Sequence, residues 1–329
     1  VEKKQRRVVA LCAAATTALA LAVAGCNDDG GPPQDGTSPF TGLKARDAPV
    51  LAVKIDNVGA ARPQSGLAMA DIVYVERVEA GLSRLMAVYS SQLPSTIGPV
   101  RSARETDLEL LRQFGRPAFA YSGAQSKLLP LLKAAAAHTV PPERLPDGYT
   151  RSQDRPAPHN LYLRPERALA AASEADDAKD IGFRFGAPPK GGRATPSYTV
   201  RYPAAAISFA WSGERERWRV SMDGAAVPVA DAKGRGPATV VVQGVTIKPS
   251  RFHDRSGSAT PYTDTTGSGP ALVLREGKTH KARWSRPSAT RGTEFSTPDG
   301  DRLAFARGPV WVAYVPKEAV TSGAAGTSR

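Results

Sequence analysis

The apolar rhythm of this chain changes once, near Pro188-Pro189-Lys190-Gly191-Gly192, and that change restricts its architecture more than any other feature. Before it, strands of the fully buried type alternate with helical segments. Val50–Asp56, Asp71–Glu76 and Leu85–Ser90 read as strands, a helix opens at Ser102, and Ala118–Tyr121 is a further short strand. Ser126–Ala137 reads as a helix with Pro130 in its early turns, and Arg164–Asp180 as another. Alternation of this kind builds an α/β layer structure. After the change, period-two segments dominate: Tyr198–Tyr202, Ile207–Trp211, Arg217–Met222, Thr239–Ile247, Ala271–Arg275, Lys281–Trp284, Leu303–Ala306 and Val310–Val315. Turn pairs such as Asp223-Gly224, Glu276-Gly277 and Asp299-Gly300 separate them. The expected organisation is an α/β domain over 40–187, a linker over 188–197, a small mostly-β domain (sandwich or barrel) over 198–318, and a disordered tail over 319–329. At 329 residues and 41% apolar content the chain can give each domain a core.

The amino-terminal residues read as an address. Lys3, Lys4, Arg6 and Arg7 precede an uncharged run from Val8 to Val23, followed by Ala24-Gly25-Cys26 and the polar Asn27-Asp28-Asp29. Charge, apolar core and small residues before a cut site make a secretory signal peptide over 1–25. The run is shorter than the ~20 residues of a spanning helix. A cysteine after Ala-Gly resembles the lipobox of bacterial lipoproteins, in which the Cys26 thiol takes a diacylglycerol anchor. A plain signal peptide is the alternative, and Arg6-Arg7 leaves twin-arginine export open. Residues 26–39, polar and rich in Gly and Pro, read as a flexible tether, which places the protein on the extracytoplasmic face of a bacterial cell membrane.

The net charge is +13, and +10 once residues 1–25 are removed. Outside the cytoplasm such an excess points to anionic lipid head groups or wall polymers as partners, not to nucleic acid; an arginine-rich coding bias gives the same number. With Cys26 acylated no thiol remains for redox work, and no two histidines have ligand spacing, so neither metal nor cofactor is expected.

Candidate functional residues gather in the loops after the first strands. Asp56 and Asn57 end the first strand, with Arg62 and Gln64 close behind. Glu76 and Glu79 frame the end of the second, and Arg84 opens the third. Ser102 and Glu105 fit a capping box, which would put Arg101 and Arg104 at a helix N-terminus, where cations are disfavoured by about 0.3–1 kcal/mol each unless an anion compensates. That layout suits phosphate or carboxylate. The alternative is that Arg101 and Arg104 pair internally with Asp56, Glu76 or Glu79. His159, fixed by Pro158 and followed by Asn160, is the one histidine in a suggestive setting; with Asp56 or Glu76 it could act as a general base. No nucleophile elbow or zinc-protease motif is present, and Ser65 and Ser102 carry no signature as nucleophiles.

Several blocks occur in order: Ala52–Asn57, Ala61–Leu67, Ala70–Tyr74, Val78–Arg84, Ile97–Arg104 and Ala157–Tyr162. Together they resemble the YerB-like lipoproteins, a family built on a domain of unknown function followed by a second domain; the resemblance extends over nearly all of residues 39–318. Trp211, Val240–Val242 and the segment Gly308–Val315 resemble the second domain more loosely, and Ala80 stands where the family usually has glycine. The resemblance implies a lipid-anchored envelope protein of two domains and assigns no activity, ligand or catalytic residue. Three functions stay open: a tethered binding module for an anionic envelope ligand or acidic partner; a wall-directed hydrolase or transferase with His159 as base; and an adaptor for envelope assembly enzymes. Asp56, Asn57, Arg62, Gln64, Glu76, Glu79, Arg84, Arg101, Ser102, Arg104, His159 and Asn160 are the expected binding residues.

Overall fold

The computed structural model describes residues 31–226, 236–253 and 257–322. The expected signal peptide, Cys26 and the outer ends of the tether and tail lie outside the described residues. Strands β1 (Leu51–Asp56), β2 (Ile72–Arg77) and β3 (Ser83–Tyr89) are buried almost throughout, as strands covered on both faces must be. β3 lies between the other two, antiparallel to both. β1 continues in parallel to β4 (Ala118–Ala120), and β4 to β5 (His138–Thr139). Between β3 and β4 stands α1 (Glu105–Leu110); α2 (Leu129–Lys133) precedes β5. A hairpin of β6 (Tyr149–Arg151) and β7 (Leu161–Leu163) leads into α3 (Pro165–Ala171).

The second half is almost entirely strand. After β8 (Arg193–Ala194), a four-stranded antiparallel sheet forms from β9 (Ser197–Tyr202), β10 (Ala205–Ser212), β11 (Arg217–Met222) and β12 (Ala225–Ala226). A long β13 (Thr239–His253) follows, with β14 (Ala259–Asp264), β15 (Gly267–Arg275), β16 (Lys278–Arg286), β17 (Glu294–Ser296), β18 (Val310–Pro316) and the closing helix α4 (Lys317–Thr321). The main path of the large sheet runs β17-β16-β15-β13-β18-β2-β3-β1-β4-β5. β18 is therefore the joint between the halves: it runs parallel to β13, Thr239 facing Val310, and parallel to β2, Val310 facing Ile72.

Alternation along these strands sorts the core into two layers. Ala52, Tyr74, Met86 and Val88 pack with Leu110, Leu111 and Phe114 of the α1 region and with Val241, Trp284 and Tyr314. Leu51, Val53, Val73, Val75 and Leu85 face the other way, onto Val200, Ile207, Phe209 and Trp218 of the four-stranded sheet. Phe209 meets Trp311 edge-on at 5.9 Å. Of the two β architectures expected for the second half, stacked sheets are the one formed.

The helices are shorter than their apolar patterns predict. α1 opens at Glu105, three residues after the expected start, and passes into a 3₁₀ turn over Leu111–Phe114 that ends at Gly115, whose φ of 81° only glycine adopts freely. Pro130 sits at the start of α2, where the missing N–H is harmless, and Ser126–Leu128 before it is a 3₁₀ turn. The pattern over Arg164–Asp180 yields only α3 because Asp176 and Asp177 are drawn to the sheet. Val50 donates its N–H to the Asp176 carbonyl, and Pro49 bridges Asp177. Leu303–Ala306 is not a strand; Phe305 makes an isolated bridge to Phe185. β14 and β17 went unread, as did the closing turn of helix over Lys317–Thr321. Thr37, within the expected tether, already bridges Lys44.

Candidate functional site

Register places three charged residues side by side on one face of the sheet: Arg84 on β3 lies opposite Asp56 of β1 and Glu76 of β2. Among the described residues neither carboxylate forms an ion pair with it. Each turns to other partners, and that divergence creates two polar clusters of opposite character.

The first is sealed. Lys54, one pleat before Asp56, is wholly buried in an otherwise apolar strand, and its Nζ lies 2.6 Å from both Glu76 Oε2 and Asp107 Oδ1. Burial, with the Asp107 charge in support and Lys54 in opposition, pushes Glu76 up to about 7. Its Oε1 accepts no hydrogen bond. One cation between two carboxylates leaves one negative charge uncompensated at a buried site.

The second cluster is open. The stretch Gly98–Arg104 runs extended past the end of β1: Asp56 donates its N–H to Pro99 O at 2.9 Å, and Arg101 donates to Lys54 O at 2.8 Å. Asp56, 1% exposed, receives His159 Nδ1 on its Oδ2 at 2.8 Å, and Arg101 Nε stands 3.0 Å from the same oxygen without aiming its N–H at it. Arg104 grips Glu79 bidentately, Nε to Oε1 at 2.6 Å and the terminal nitrogen to Oε2 at 2.9 Å, and Thr260 Oγ1 donates to Glu79 Oε1 at 2.7 Å. Burial opposes ionisation of Glu79, but the hydrogen bonds and charge of Arg104 prevail and hold it at about 2. Arg84 is left over. The residue is 9% exposed, and among the described residues its guanidinium donates only to Ser102 O, at 3.3 Å. Burial, then the charges of Arg104 and Arg101 against those of Glu79 and Asp56, pulls it down to about 10.

A cavity of about 670 Å³ opens over this cluster. Glu79, Arg84, Arg101, Ser102, Arg104, Glu105 and Gln125 give it polar lining, the β13–β14 hairpin supplies Phe252, His253 and Thr260 from the second half, and Ala103, Ala124, Leu128 and Pro158 add apolar carbon.

The expected capping box does not form. Arg104, not Ser102, is the N-cap of α1, and its backbone N–H is taken by the Asp107 carboxylate at 2.6 Å. Ser102 is held outside the helix because Ser122 donates to Arg101 O and Ala103 to Gly123 O. Glu105 instead pairs with Ser250 and lies 3.4 Å from Arg251. The arginines therefore do not crown a vacant helix end; the helix is six residues long and carries its own acid.

The remaining expected residues cross-link the fold away from the cavity. Arg62 ties the first loops to the four-stranded sheet, donating to Asp223 Oδ2 at 2.7 Å, Asn57 O at 2.7 Å and Met222 O at 3.1 Å. Asn57 donates to Ser83 Oγ, and Gln64 donates to Asn57 Oδ1 and Asp56 O. Asn160 bonds Arg151 and the Ser152 carbonyl. Sequence reasoning missed Lys54 and Asp107, although a lone lysine at an inward position of an apolar strand is a usable signal. It also missed Phe252 and Thr260, which no local pattern connects to Arg84.

Comparison with known proteins gives a consistent family assignment. Residues 39–179 match the N-terminal domain, and residues 198–312 the C-terminal domain, of a family described as proteins of unknown function, DUF3048. A curated Bacillus subtilis (strain 168) protein named "Putative lipoprotein YerB" is 44% identical over 81 residues, which is 23% of this chain and 24% of that protein. The aligned part thus spans about a quarter of that relative. The crystal structure of the YerB protein from Bacillus subtilis superposes with a TM-score of 0.71 at 23% identity, covering 85% of this chain and 96% of the other, and so shares the fold.

Proposed function

On the premise that this chain belongs to the DUF3048 family, we propose that it is a lipid-anchored extracytoplasmic binding module whose cavity holds an anion against Arg84. The anchor is the Cys26 acyl group, a reading supported by the lipobox and by the name of the Bacillus relative. Among the described residues no helix is long and apolar enough to cross a membrane. The guest is an anionic envelope component or an acidic segment of a partner. The observation that carries this reading is the nearly buried Arg84 at the cavity wall, whose guanidinium has no ion-pair partner among the described residues. Arg101, 3.0 Å from Asp56, and Arg104, held by Glu79, stand beside Arg84 in the lining and add positive charge.

Arg84→Met tests it. A bound anion raises the melting temperature by mass action, so orthophosphate at constant ionic strength should stabilise the wild type and not the variant. Equal stabilisation of both proteins, or of neither, would discard the reading.

A second reading rests on the 2.8 Å contact between His159 Nδ1 and Asp56 Oδ2. If Nδ1–H donates to Asp56, Nε2 is left as a proton acceptor, the arrangement of a general base in a hydrolase or transferase acting on wall material. His159→Asn separates the two: lost turnover with retained anion binding favours the enzyme, and unchanged behaviour removes it.

A further inference from the structure

The cavity offers more than positive charge, and its charge is finely limited. Counting Arg, Asp and Glu, three of the groups that line it are each matched by one partner: Arg101 by Asp56, Arg104 by Glu79, and Glu105 by Arg251. Among the described residues only Arg84 remains without an ion pair, so the site lacks one negative charge, not two or three. The lining also carries aliphatic carbon from Leu128, Ala124, Ala103 and Pro158. Among the polar groups of the lining, Thr260 is committed to Glu79 and Ser102 O already accepts from Arg84, whereas Gln125 Oε1 accepts no hydrogen bond among the described residues. The ring of Phe252 carries the Arg251 guanidinium 5.0 Å from its centroid, which occupies one of its two faces. A volume of about 670 Å³ is ample for a small head and a short length of chain.

We infer that the guest is a monoanionic amphiphile, one negatively charged head against Arg84 with an aliphatic chain along the Leu128–Ala124 wall; this rests on the anion-binding reading above. A carboxylate head of a fatty acid and a phosphodiester head of a lysophospholipid share this chemistry.

Calorimetric titration of the full chain carrying Cys26→Ser, at pH 8 and below micellar concentrations, tests the inference with acetate, hexanoate, decanoate and lysophosphatidylglycerol. Orthophosphate, decyl phosphate and decanol serve as controls. Each methylene buried should tighten binding about four-fold, so affinity climbs from acetate through hexanoate to decanoate until the wall is covered. Decanol should bind at least ten-fold more weakly than decanoate, and Arg84→Met should remove that difference. Binding of lysophosphatidylglycerol above decanoate identifies the phosphodiester as the source, and the reverse order the carboxylate; either supports the inference. If acetate or orthophosphate binds as tightly as decanoate, the amphiphile is wrong while the anion site stands. Decyl phosphate more than ten-fold tighter than decanoate overturns the single-charge count. If decanol equals decanoate, or nothing binds, the inference and the anion site fall together.

Discussion

The sealed cluster of Lys54, Glu76 and Asp107 and the open cluster of Arg84, Arg101 and Arg104 meet on the same face of one sheet, where Glu76 and Arg84 lie on adjacent strands, and both combine basic with acidic side chains. They differ in the sign of their surplus. The sealed cluster has one carboxylate more than its cation can balance, and Glu76 is pushed up to about 7 by burial. A proton can resolve that imbalance from within. The open cluster has one guanidinium more than Asp56 and Glu79 can balance, and a guanidinium does not shed its charge at working pH. Glu76 lies opposite Arg84 but turns its paired oxygen to Lys54, so an anion from outside can complete the balance. A surplus acid is self-correcting; a surplus arginine is a vacancy for a guest.

The sharpest way to break this contrast is Lys54→Met. It strands two buried carboxylates and should cost about 3–5 kcal/mol of folding stability at pH 8, as removal of one member of a buried ion pair does. Chemical denaturation measures the loss, and part of it should return at pH 5 as the carboxyls protonate. A neutral result would mean that the cluster is not sealed.

Arg84→Met should act in the opposite direction. Burial in the fold pulls this group down to about 10 from the ordinary guanidinium range, so the folded protein carries the burden of its charge at every pH below that. The shift corresponds to roughly 3 kcal/mol, an upper bound on the gain in stability when the charge is removed without ligand. A variant that is both more stable and unable to bind anions sharpens the contrast; a destabilised one makes Arg84 a structural residue.

Titration separates the two clusters further. Glu76 has its pKa raised in the fold, so its contribution improves as pH falls from about 7 towards 4.5, and Glu76→Gln should flatten that part of the stability profile. Glu79 is depressed to about 2, so its contribution is complete above 4.5 and disappears as pH falls from there to about 2. Glu79→Gln should remove this acid-side loss. Urea midpoints at half-unit pH intervals distinguish the two slopes. The smallest effect belongs to Asp223→Asn. Its partner Arg62 keeps two backbone acceptors and Asp223 is 41% exposed, so about 0–1 kcal/mol is expected.

How much of this was legible depended on whether the decisive contact was local. β1, β2 and β3 were legible because strands buried on both faces show as unbroken apolar runs, and the arginines stood out because they crowd the loops after them. The start of α1 was not legible. Glu105 and Asp107 both suit a first turn, and the choice between them was made by Ser122 and Gly123 holding Arg101 and Ala103 extended. β14 hid because Pro261 breaks its pattern and its outer edge is satisfied by α1, with Thr106 and Glu109 accepting the backbone N–H groups of Thr263 and Thr265. The far wall of the cavity lies some 150 residues along the chain from Arg104, beyond the reach of any spacing rule.

The position of β18 has a consequence for how the molecule comes into being. A ribosome delivers Val310–Pro316 after every other strand, yet that segment belongs in the middle, between β2 and β13. Until it arrives, the nascent polypeptide holds two half-finished sheets whose bare flanks invite mispairing with each other or with a neighbour. Insertion of one late wedge closes both flanks in a single event, which makes the two halves partners in folding and not modules that a cut in the linker would set free.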